Sequence, residues 1–195
     1  MNSKIKAIEE AIEKIKKIDN LTTKQAEKIV NWIIETDEKH VLDVSNAFME
    51  LKRKIKYCSL CGYQTEEQRC LICTDNSRSN VLFIVENSKV INKMEKANIY
   101  DGKYFIFNKV ISDEKSLDES NELIEKLIFY AKDFEEVIIG ISPTLGGELT
   151  SQILKKYLKE NNIKVSQLAI GLPVGASVDY IDTITLEQSI RNRTK

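Results

Sequence analysis

Three features are missing from this chain: a long apolar run, a secretory signal peptide and an excess of one charge. No apolar run approaches the roughly 20 residues that a membrane-spanning helix needs. The N-terminal stretch MNSKIKAIEEAIEKIKK is charged and amphipathic, unlike a secretory signal peptide. We therefore expect a cytoplasmic protein without a membrane partner. Neither charge is in excess, since 29 basic residues stand against 30 acidic ones, so net charge alone does not indicate nucleic-acid binding.

The glycine patterns of nucleotide-binding loops are missing as well. Gly146 and Gly147 lie in SPTLGGELT, but no Lys-Ser or Lys-Thr pair follows them and the chain has no GxGxxG motif. These absences exclude a P-loop nucleotide hydrolase. Pro143 and the two glycines instead predict a turn, and Glu148 is expected in the first turn of the following helix, where a carboxylate stabilises the helix dipole.

All four cysteines of the chain lie in one short segment, CSLCGYQTEEQRCLIC. Cys58 with Cys61 and Cys70 with Cys73 form two CxxC pairs, which together predict a tetrahedral zinc site. Four protein ligands leave no open coordination position, so the metal would be structural. A thioredoxin-like redox pair explains only one CxxC, and an iron–sulfur cluster is a further alternative. In a reducing compartment a structural disulfide pair is not expected.

Before the cysteines, the apolar residues recur at helical spacing. This periodicity predicts three helices between residues 4 and 56, with a break at IDNLTTKQAEK. Asn20 suits a turn there, and Thr22 or Thr23 can cap a helix that begins near Lys24.

After the cysteines, short β-rich runs alternate with helical stretches. The strand candidates are 81–85, 104–107, 137–141 and 168–170, and the helix candidates lie near 88–97, 120–132 and 148–160. Continuous apolar runs of this length are typical of buried parallel strands, so the alternation predicts an α/β sheet with right-handed crossovers. Ligands of such sheets gather at the carboxyl ends of the strands, where Glu86 and the SPTLGGELT turn are expected.

The order of these parts, together with three specific motifs, resembles a known family. The motifs are the cysteine spacing with its flanks YCSLC and CLIC, the SPTLGGELT turn, and GLPVG followed by ASVDYIDTITL. Over nearly the whole chain these features resemble the RecR family of bacterial recombination mediators. The resemblance implies an α+β protein of several parts: a helix-hairpin-helix domain (1–56), a four-cysteine zinc motif (57–76), an α/β Toprim domain with a mainly parallel sheet (77–172), and a C-terminal helical segment (173–195) expected at an oligomer interface.

The same resemblance implies a function and partners. Family members are non-enzymatic DNA-repair proteins that form a clamp on duplex or gapped DNA and act with RecO and RecF to help load the recombinase RecA. One chain of this size cannot encircle DNA. A homo-oligomer, either a dimer or a tetramer, is therefore implied.

The hairpin departs from the family pattern LPGIGPKSAxR. Asn20 and Thr22 stand at its two glycines and Thr23 at its proline. Side chains at these positions should hinder the approach of backbone amides to phosphates. Lys24 and Lys28 match the family's basic pair, share one helix face, and are the predicted DNA contacts.

The Toprim-like half keeps only part of the catalytic pattern of that domain. Catalytic Toprim enzymes use a glutamate after the first strand and a DxD pair after a later strand to hold magnesium. Glu86 matches the glutamate, whereas Ser142 and Thr144 stand at the DxD positions, and hydroxyl groups are poor magnesium ligands. The resemblance therefore implies no catalytic residue, and Glu86 and Glu148 are expected to form an acidic surface that faces a partner or DNA.

Two alternatives from other classes stay open. One is a metal-dependent Toprim nuclease or topoisomerase-like enzyme, against which the missing DxD pair counts. The other is a zinc-stabilised protein-interaction module that does not bind DNA, which the neutral net charge and the altered hairpin favour.

Overall fold

The chain folds into two compact units, Met1–Ile55 and Lys56–Lys195. This computed structural model describes residues 5–193. Within those residues, no helix is both long enough and apolar enough to cross a membrane.

The first unit consists of helices, as the periodicity predicts. They are α1 (Lys6–Ile15), α2 (Thr23–Glu35) and α3 (Glu38–Lys54). Asn20, in the break before α2, has a φ of 62°, a left-handed conformation that asparagine tolerates better than most residues. Ala26 and Val30 of α2 are buried, whereas α1 and α3, both described over their full lengths, contain no buried residue.

The second unit begins with a small structure that we call the knuckle, residues 56–74. Its strands β1 (Lys56–Tyr57) and β2 (Gln64–Thr65) pair in antiparallel fashion, and the one-turn helix α4 (Leu71–Thr74) follows. Gly62 has a φ of 78°, which a residue with a side chain rarely adopts, and it turns the chain between the two strands. The first cysteine pair, Cys58 and Cys61, therefore lies in the loop between these two strands.

A four-stranded parallel sheet forms the centre of the second unit. Its strands are β3 (Val81–Val85), β4 (Lys103–Ile106), β5 (Glu136–Gly140) and β6 (Val165–Gln167), in the order β4-β3-β5-β6. The register pairs Val85 with both Ile106 and Gly140, so the carboxyl ends of the three strands lie side by side. The helices of this unit are α5 (Ser88–Ala97), α6 (Glu114–Asp118), α7 (Asn121–Ala131), α8 (Leu145–Glu160) and α9 (Thr183–Arg191), with a 3-10 turn at Val178–Tyr180.

The predicted start of α8 was wrong. The helix begins at Leu145, because the hydroxyl of Thr144 accepts a hydrogen bond from the Gly147 amide at 3.1 Å and caps it. Gly146 and Gly147 therefore lie in the first turn of the helix rather than in a turn before it. A Cβ atom on Gly147 would come within 2.0 Å of the Ser142 carbonyl oxygen, so the close approach requires glycine there.

The predicted position of the last strand was also wrong. Strand β6 is VSQ rather than the apolar LAI that follows it, and the Leu168 side chain is 56% exposed. Pairing with β5, from Val137 opposite Val165 to Ile139 opposite Gln167, defines this edge strand. Helix α6 was not predicted; it begins with a capping box between Asp113 and Ser116.

Alternating strand residues divide the core between the two faces of the sheet. Phe83, Val85, Ile91 and Tyr104 pack on one face. The other face carries the larger cluster, in which the four cysteines pack with residues of the sheet, α7 and α8: Leu82, Ile84, Phe105, Leu127, Tyr130, Val137, Ile139, Leu154 and Leu158. The knuckle is therefore part of the hydrophobic core of the second unit.

Candidate functional site

The four cysteine sulfurs lie close together in the interior. All four Sγ atoms lie within 4.8 Å of one another, and the side chains are between 1% and 7% exposed. Sulfurs around a tetrahedral zinc ion, each about 2.3 Å from the metal, are about 3.8 Å apart. The Cys61 and Cys70 sulfurs are 3.6 Å apart, and none of the four cysteines forms a disulfide. The geometry fits a four-thiolate metal site.

Local backbone turns direct each pair of sulfurs inward. In the first turn the Gly62 amide donates to the Cys58 carbonyl at 3.0 Å, and the Cys58 amide donates to the Tyr63 carbonyl at 2.8 Å. In the second, the Cys73 amide donates to the Cys70 carbonyl at 3.0 Å as α4 begins. Two CxxC turns of this kind place two thiol groups each on one centre.

Backbone amides also face the sulfurs themselves. The Cys70 amide donates to Cys58 Sγ and the Tyr63 amide donates to Cys61 Sγ, both at 3.4 Å. Hydrogen bonds of this kind stabilise a buried thiolate, which would otherwise lack solvation.

The hydrogen bond between the buried Cys61 and Cys70 thiols lowers the pKa of Cys70 and raises the pKa of Cys61. A divalent cation would take the place of the thiol protons and bind the thiolates directly.

The cysteine cluster is attached firmly to the sheet. The Ile106 amide at the end of β4 donates to the Cys61 carbonyl at 2.8 Å, and Lys103 Nζ donates to the Cys73 carbonyl at 3.0 Å. Gln64 in β2 donates to the Ser88 hydroxyl of α5 at 2.9 Å. A change in the position of the cysteines would therefore be transmitted to the sheet through these hydrogen bonds.

The carboxyl ends of β3 and β5 meet at the second candidate site. Glu86 follows β3 and Ser142 follows β5. The Ser142 hydroxyl donates to Glu86 Oε2 at 2.7 Å, and the Ser142 amide donates to Glu86 Oε1 at 3.2 Å. The residue at a DxD position thus binds the glutamate through neutral donors. Within residues 5–193, the four cysteines are the one group of three or more Cys, His, Asp or Glu side chains whose ligand atoms lie close enough together to hold an ion.

The contacts of Glu148 are with other residues than Glu86 and Ser142. It occupies the first turn of α8, as predicted, and its carboxylate accepts from Gln152 and Gln167, both at 3.4 Å. Glu148 lines a cavity of about 440 Å³ with Leu145 and Leu149, whereas Glu86 lines a different cavity of about 320 Å³. The two acids that the sequence groups on one surface thus line two different cavities.

Lys24 and Lys28 lie on the exposed side of α2 in the first unit. They line a groove of about 600 Å³ together with Glu27, Trp32 and Glu35. In the part of the chain that the structure describes, neither lysine has an acidic partner within ion-pair distance. Both ammonium groups are thus available to an anion, although two glutamates line the same groove.

At the start of α2, the side chains of Thr22 and Gln25 bind backbone amides. The Gln25 amide donates to the Thr22 hydroxyl at 3.3 Å, and the Thr22 amide donates to the Gln25 side-chain oxygen at 2.8 Å. This capping box uses amides that a helix start can otherwise offer to a phosphate. Thr22, the residue that replaces a family glycine, is therefore the cap itself.

Sequence reasoning missed two contacts at these sites. Tyr130 reaches the cysteine cluster from α7, with its hydroxyl oxygen 3.4 Å from Cys73 Sγ. It ends an apolar helical run, and nothing local to it indicates a role near the cysteines. The bond between Ser142 and Glu86 had a signal, since both follow adjacent parallel strands, whose carboxyl ends meet.

Comparisons with known proteins agree with this arrangement. The Toprim domain family model matches residues 80–169, and the model for the C-terminal part of RecR matches residues 171–194. The Recombination protein RecR of Mycoplasmopsis pulmonis is 40% identical over 186 residues, which cover 95% of this chain and 97% of that protein. The proteins of the same name from Streptococcus thermophilus and Clostridium perfringens are 35% and 33% identical, each over 96% of both chains. The chain therefore belongs to the RecR family of recombination proteins.

Proposed function

We propose that this protein is a non-enzymatic recombination mediator. In this proposal it works in the cytoplasm as an oligomeric clamp on duplex or gapped DNA, and with RecO and RecF it helps to load RecA. Membership of the RecR family supports a role in recombination. The observation that carries the non-enzymatic part is the contact between Glu86 and Ser142.

That contact, at the carboxyl ends of β3 and β5, counts against metal-assisted phosphoryl transfer there. A magnesium ion at such a site needs several oxygen ligands, most of them carboxylates or water. Here one carboxylate is bound to the hydroxyl and amide of Ser142, and Thr144 caps α8 through its hydroxyl. Without a bound cation, the charge that develops in the transition state would lack its main stabiliser.

The proposed DNA contacts are Lys24 and Lys28. They are exposed, lie one helical turn apart on α2, and can bind neighbouring phosphates. Because the capping box occupies amides at the start of α2, the lysine side chains would supply most of the phosphate contact in this hairpin.

Zinc is the metal we propose for the cysteine site. Four buried thiolates suit a soft tetrahedral ion and leave no position for water or substrate. Cys58, Cys61, Cys70 and Cys73 would hold the ion in a structural role, in which the metal fixes the knuckle against the sheet.

Exposed apolar side chains support a homo-oligomer, either a dimer or a tetramer. In α3, Leu42, Phe48 and Leu51 are 53%, 69% and 62% exposed. In the C-terminal segment, Tyr180 and Ile184 are 91% and 72% exposed. Large apolar side chains gathered on two segments mark protein interfaces, and further copies of this chain would cover both.

One experiment tests the proposal: incubation of the purified protein with gapped duplex DNA and Mg²⁺ over a range of salt concentrations, with both binding and strand integrity measured. We expect binding that falls steeply with salt while the strands stay intact. Lys24→Ala with Lys28→Ala should weaken binding and reduce the salt dependence. The control is Lys89→Ala with Lys93→Ala, an exposed lysine pair of the same spacing on α5.

The other outcomes favour the alternatives. Strand cleavage that Glu86→Gln abolishes would establish a Toprim nuclease. Equal weakening by both lysine pairs would remove the hairpin from the DNA site. No binding at low salt, with or without RecO, would favour a protein-interaction module.

A further inference from the structure

One side chain from outside the knuckle reaches a cysteine sulfur. Within the knuckle, the backbone amides of Cys70 and Tyr63 donate to the sulfurs of Cys58 and Cys61, both at 3.4 Å. The sulfur of Cys73 lies 3.4 Å from the hydroxyl oxygen of Tyr130, which is 57 residues away in the chain. Two sulfurs thus accept from backbone amides of the knuckle, and the sulfur of Cys73 has its partner on α7.

The direction of this hydrogen bond follows from the chemistry of a metal site. A cysteine that binds a metal ion is a thiolate, which has no proton to donate. The Tyr130 hydroxyl must therefore donate, and Cys73 Sγ must accept.

The surroundings hold the Tyr130 ring in place and keep water out. The side chain is 6% exposed. Its ring packs edge-on against Phe134, with ring centroids 5.0 Å apart, and lies 6.5 Å from the ring of Phe105. A buried hydroxyl that lost this acceptor would have no solvent to replace it, so the contact is energetically significant.

We propose that Tyr130 is a positioning residue for the metal: its hydroxyl donates to the Cys73 thiolate, withdraws part of the sulfur's negative charge, and fixes the sulfur toward the ion. The inference deepens the proposed zinc site and rests on it. Four thiolates and one divalent cation carry a net charge of about −2, which a buried site must balance with donors. Groups that orient metal ligands typically change metal affinity by about 10- to 100-fold when they are removed.

The test compares two variants that each lose one buried tyrosine hydroxyl. Tyr130→Phe keeps the aromatic ring and removes the donor to sulfur. The control, Tyr104→Phe, removes a hydroxyl that donates to Glu95 at 2.7 Å, on the other face of the same sheet. Zinc affinity is measured by competition with a chromophoric chelator, and the absorption spectrum is recorded after substitution with Co²⁺.

We expect Tyr130→Phe to bind zinc about 10-fold more weakly or worse. Its sulfur-to-cobalt charge-transfer band should move to longer wavelength, because a thiolate without its donor gives up an electron more easily. Tyr104→Phe should match the wild type in both measurements. Equal behaviour of Tyr130→Phe and wild type, or equal changes in both variants, would overturn the role of Tyr130.

Two further results separate this inference from the proposed zinc site. If the wild type binds neither Zn²⁺ nor Co²⁺, the metal site itself is wrong and the inference falls with it. If Tyr130→Phe does not fold, the wild type substituted with ¹¹³Cd is measured by NMR. A slowly exchanging hydroxyl proton of Tyr130 coupled to the cadmium supports the inference, and no such coupling overturns it.

Discussion

At the scale of single residues, Arg78 and Glu95 form the most enclosed of the ion pairs that the structure describes in the second unit. Arg78 Nη1 donates to Glu95 Oε1 at 3.0 Å and to the Gly102 carbonyl at 2.8 Å, and Nη2 contacts Glu95 Oε2. The Tyr104 hydroxyl adds a third donor to this carboxylate. The two charged side chains are 17% and 28% exposed, so water screens them less than it screens surface pairs. The pair connects the segment between the knuckle and β3 to α5, and the Tyr104 hydroxyl connects it to β4.

The Glu95 carboxylate should make the stability of the fold depend on pH. Hydrogen bonds from Arg78 hold the pKa of Glu95 below its ordinary value of 4.5. The contribution of this ionised carboxylate to the free energy of unfolding is therefore complete above pH 4.5, the pKa expected in the unfolded chain. It is lost as the pH falls through the lower pKa of the folded state. We expect Glu95→Gln to lower the unfolding free energy at neutral pH and to differ less from wild type in acid, as urea denaturation would show.

The control for this prediction is Glu125→Gln, an exposed acid on α7 beyond the first turn of the helix. Its denaturation curves should follow those of the wild type at both pH values. A constant difference between Glu95→Gln and wild type across the acid range would contradict the prediction.

Single-residue roles could be predicted only where the signal is local. The four cysteines carry their chemistry in their spacing, so the sequence predicts that they meet, and they do. The contacts of Tyr130 with Cys73 and of Ser142 with Glu86 join residues 57 and 56 positions apart. Such contacts depend on the packing of α7 and on the register of β3 with β5, which spacing alone does not encode.

At the scale of elements, apolar periodicity locates the helices and the buried strands. Strands β3, β4 and β5 lie within one residue of their predicted positions because both faces of the sheet are covered and their residues are apolar. The sequence did not predict strand β6, because VSQ is only partly buried and lacks an apolar pattern. Its hydrogen bonds with β5, rather than its hydrophobicity, make it a strand. The start of α8 was not predicted correctly, because it depends on a cap by the Thr144 side chain and not on apolar periodicity.

The capping box at the start of α2 is expected to limit the affinity for DNA. Restoring the family pattern by Asn20→Gly, Thr22→Gly and Thr23→Pro should strengthen DNA binding several-fold at low salt, because backbone amides become free to approach phosphates. Loss of the Thr22 cap costs only a few tenths of a kcal/mol when glycine replaces it. Thr23 is the first residue of α2, a position that proline tolerates.

Fluorescence anisotropy with labelled duplex DNA checks this result. The control is Thr22→Ser, which keeps a hydroxyl for the cap and should bind as the wild type does. If the restored hairpin binds no more tightly than Thr22→Ser, the capping box is not what limits DNA contact.

The knuckle should depend on its metal for stability. Cys58→Ser, or removal of the metal by a chelator, is expected to lower the melting temperature, because metal-binding free energy in a small site is folding free energy. Hydrogen exchange measured by mass spectrometry should show residues 56–74 losing protection first. Ser59→Ala, an exposed change between two ligands, is the control. Full thermal stability of the metal-free protein would refute this prediction.

At the scale of the whole molecule, the exposed apolar surface of α3 predicts assembly. Phe48→Ser removes the most exposed large apolar side chain of that helix. We expect light scattering to show a smaller assembly and DNA binding to weaken with it, since a clamp needs several copies. Ser45→Ala on the same helix serves as the control. An unchanged mass for Phe48→Ser would place the interface elsewhere.

The position of Tyr130 far along the chain also sets an order of events during synthesis. Chains fold from the N-terminus as they emerge, so the knuckle can form its turns and its amide contacts to sulfur once residue 74 is free. The hydroxyl that faces Cys73 arrives 57 residues later, after α7 has packed on the sheet. The metal site would therefore be completed in two stages, and an ion captured early would exchange more freely than one held in the finished fold.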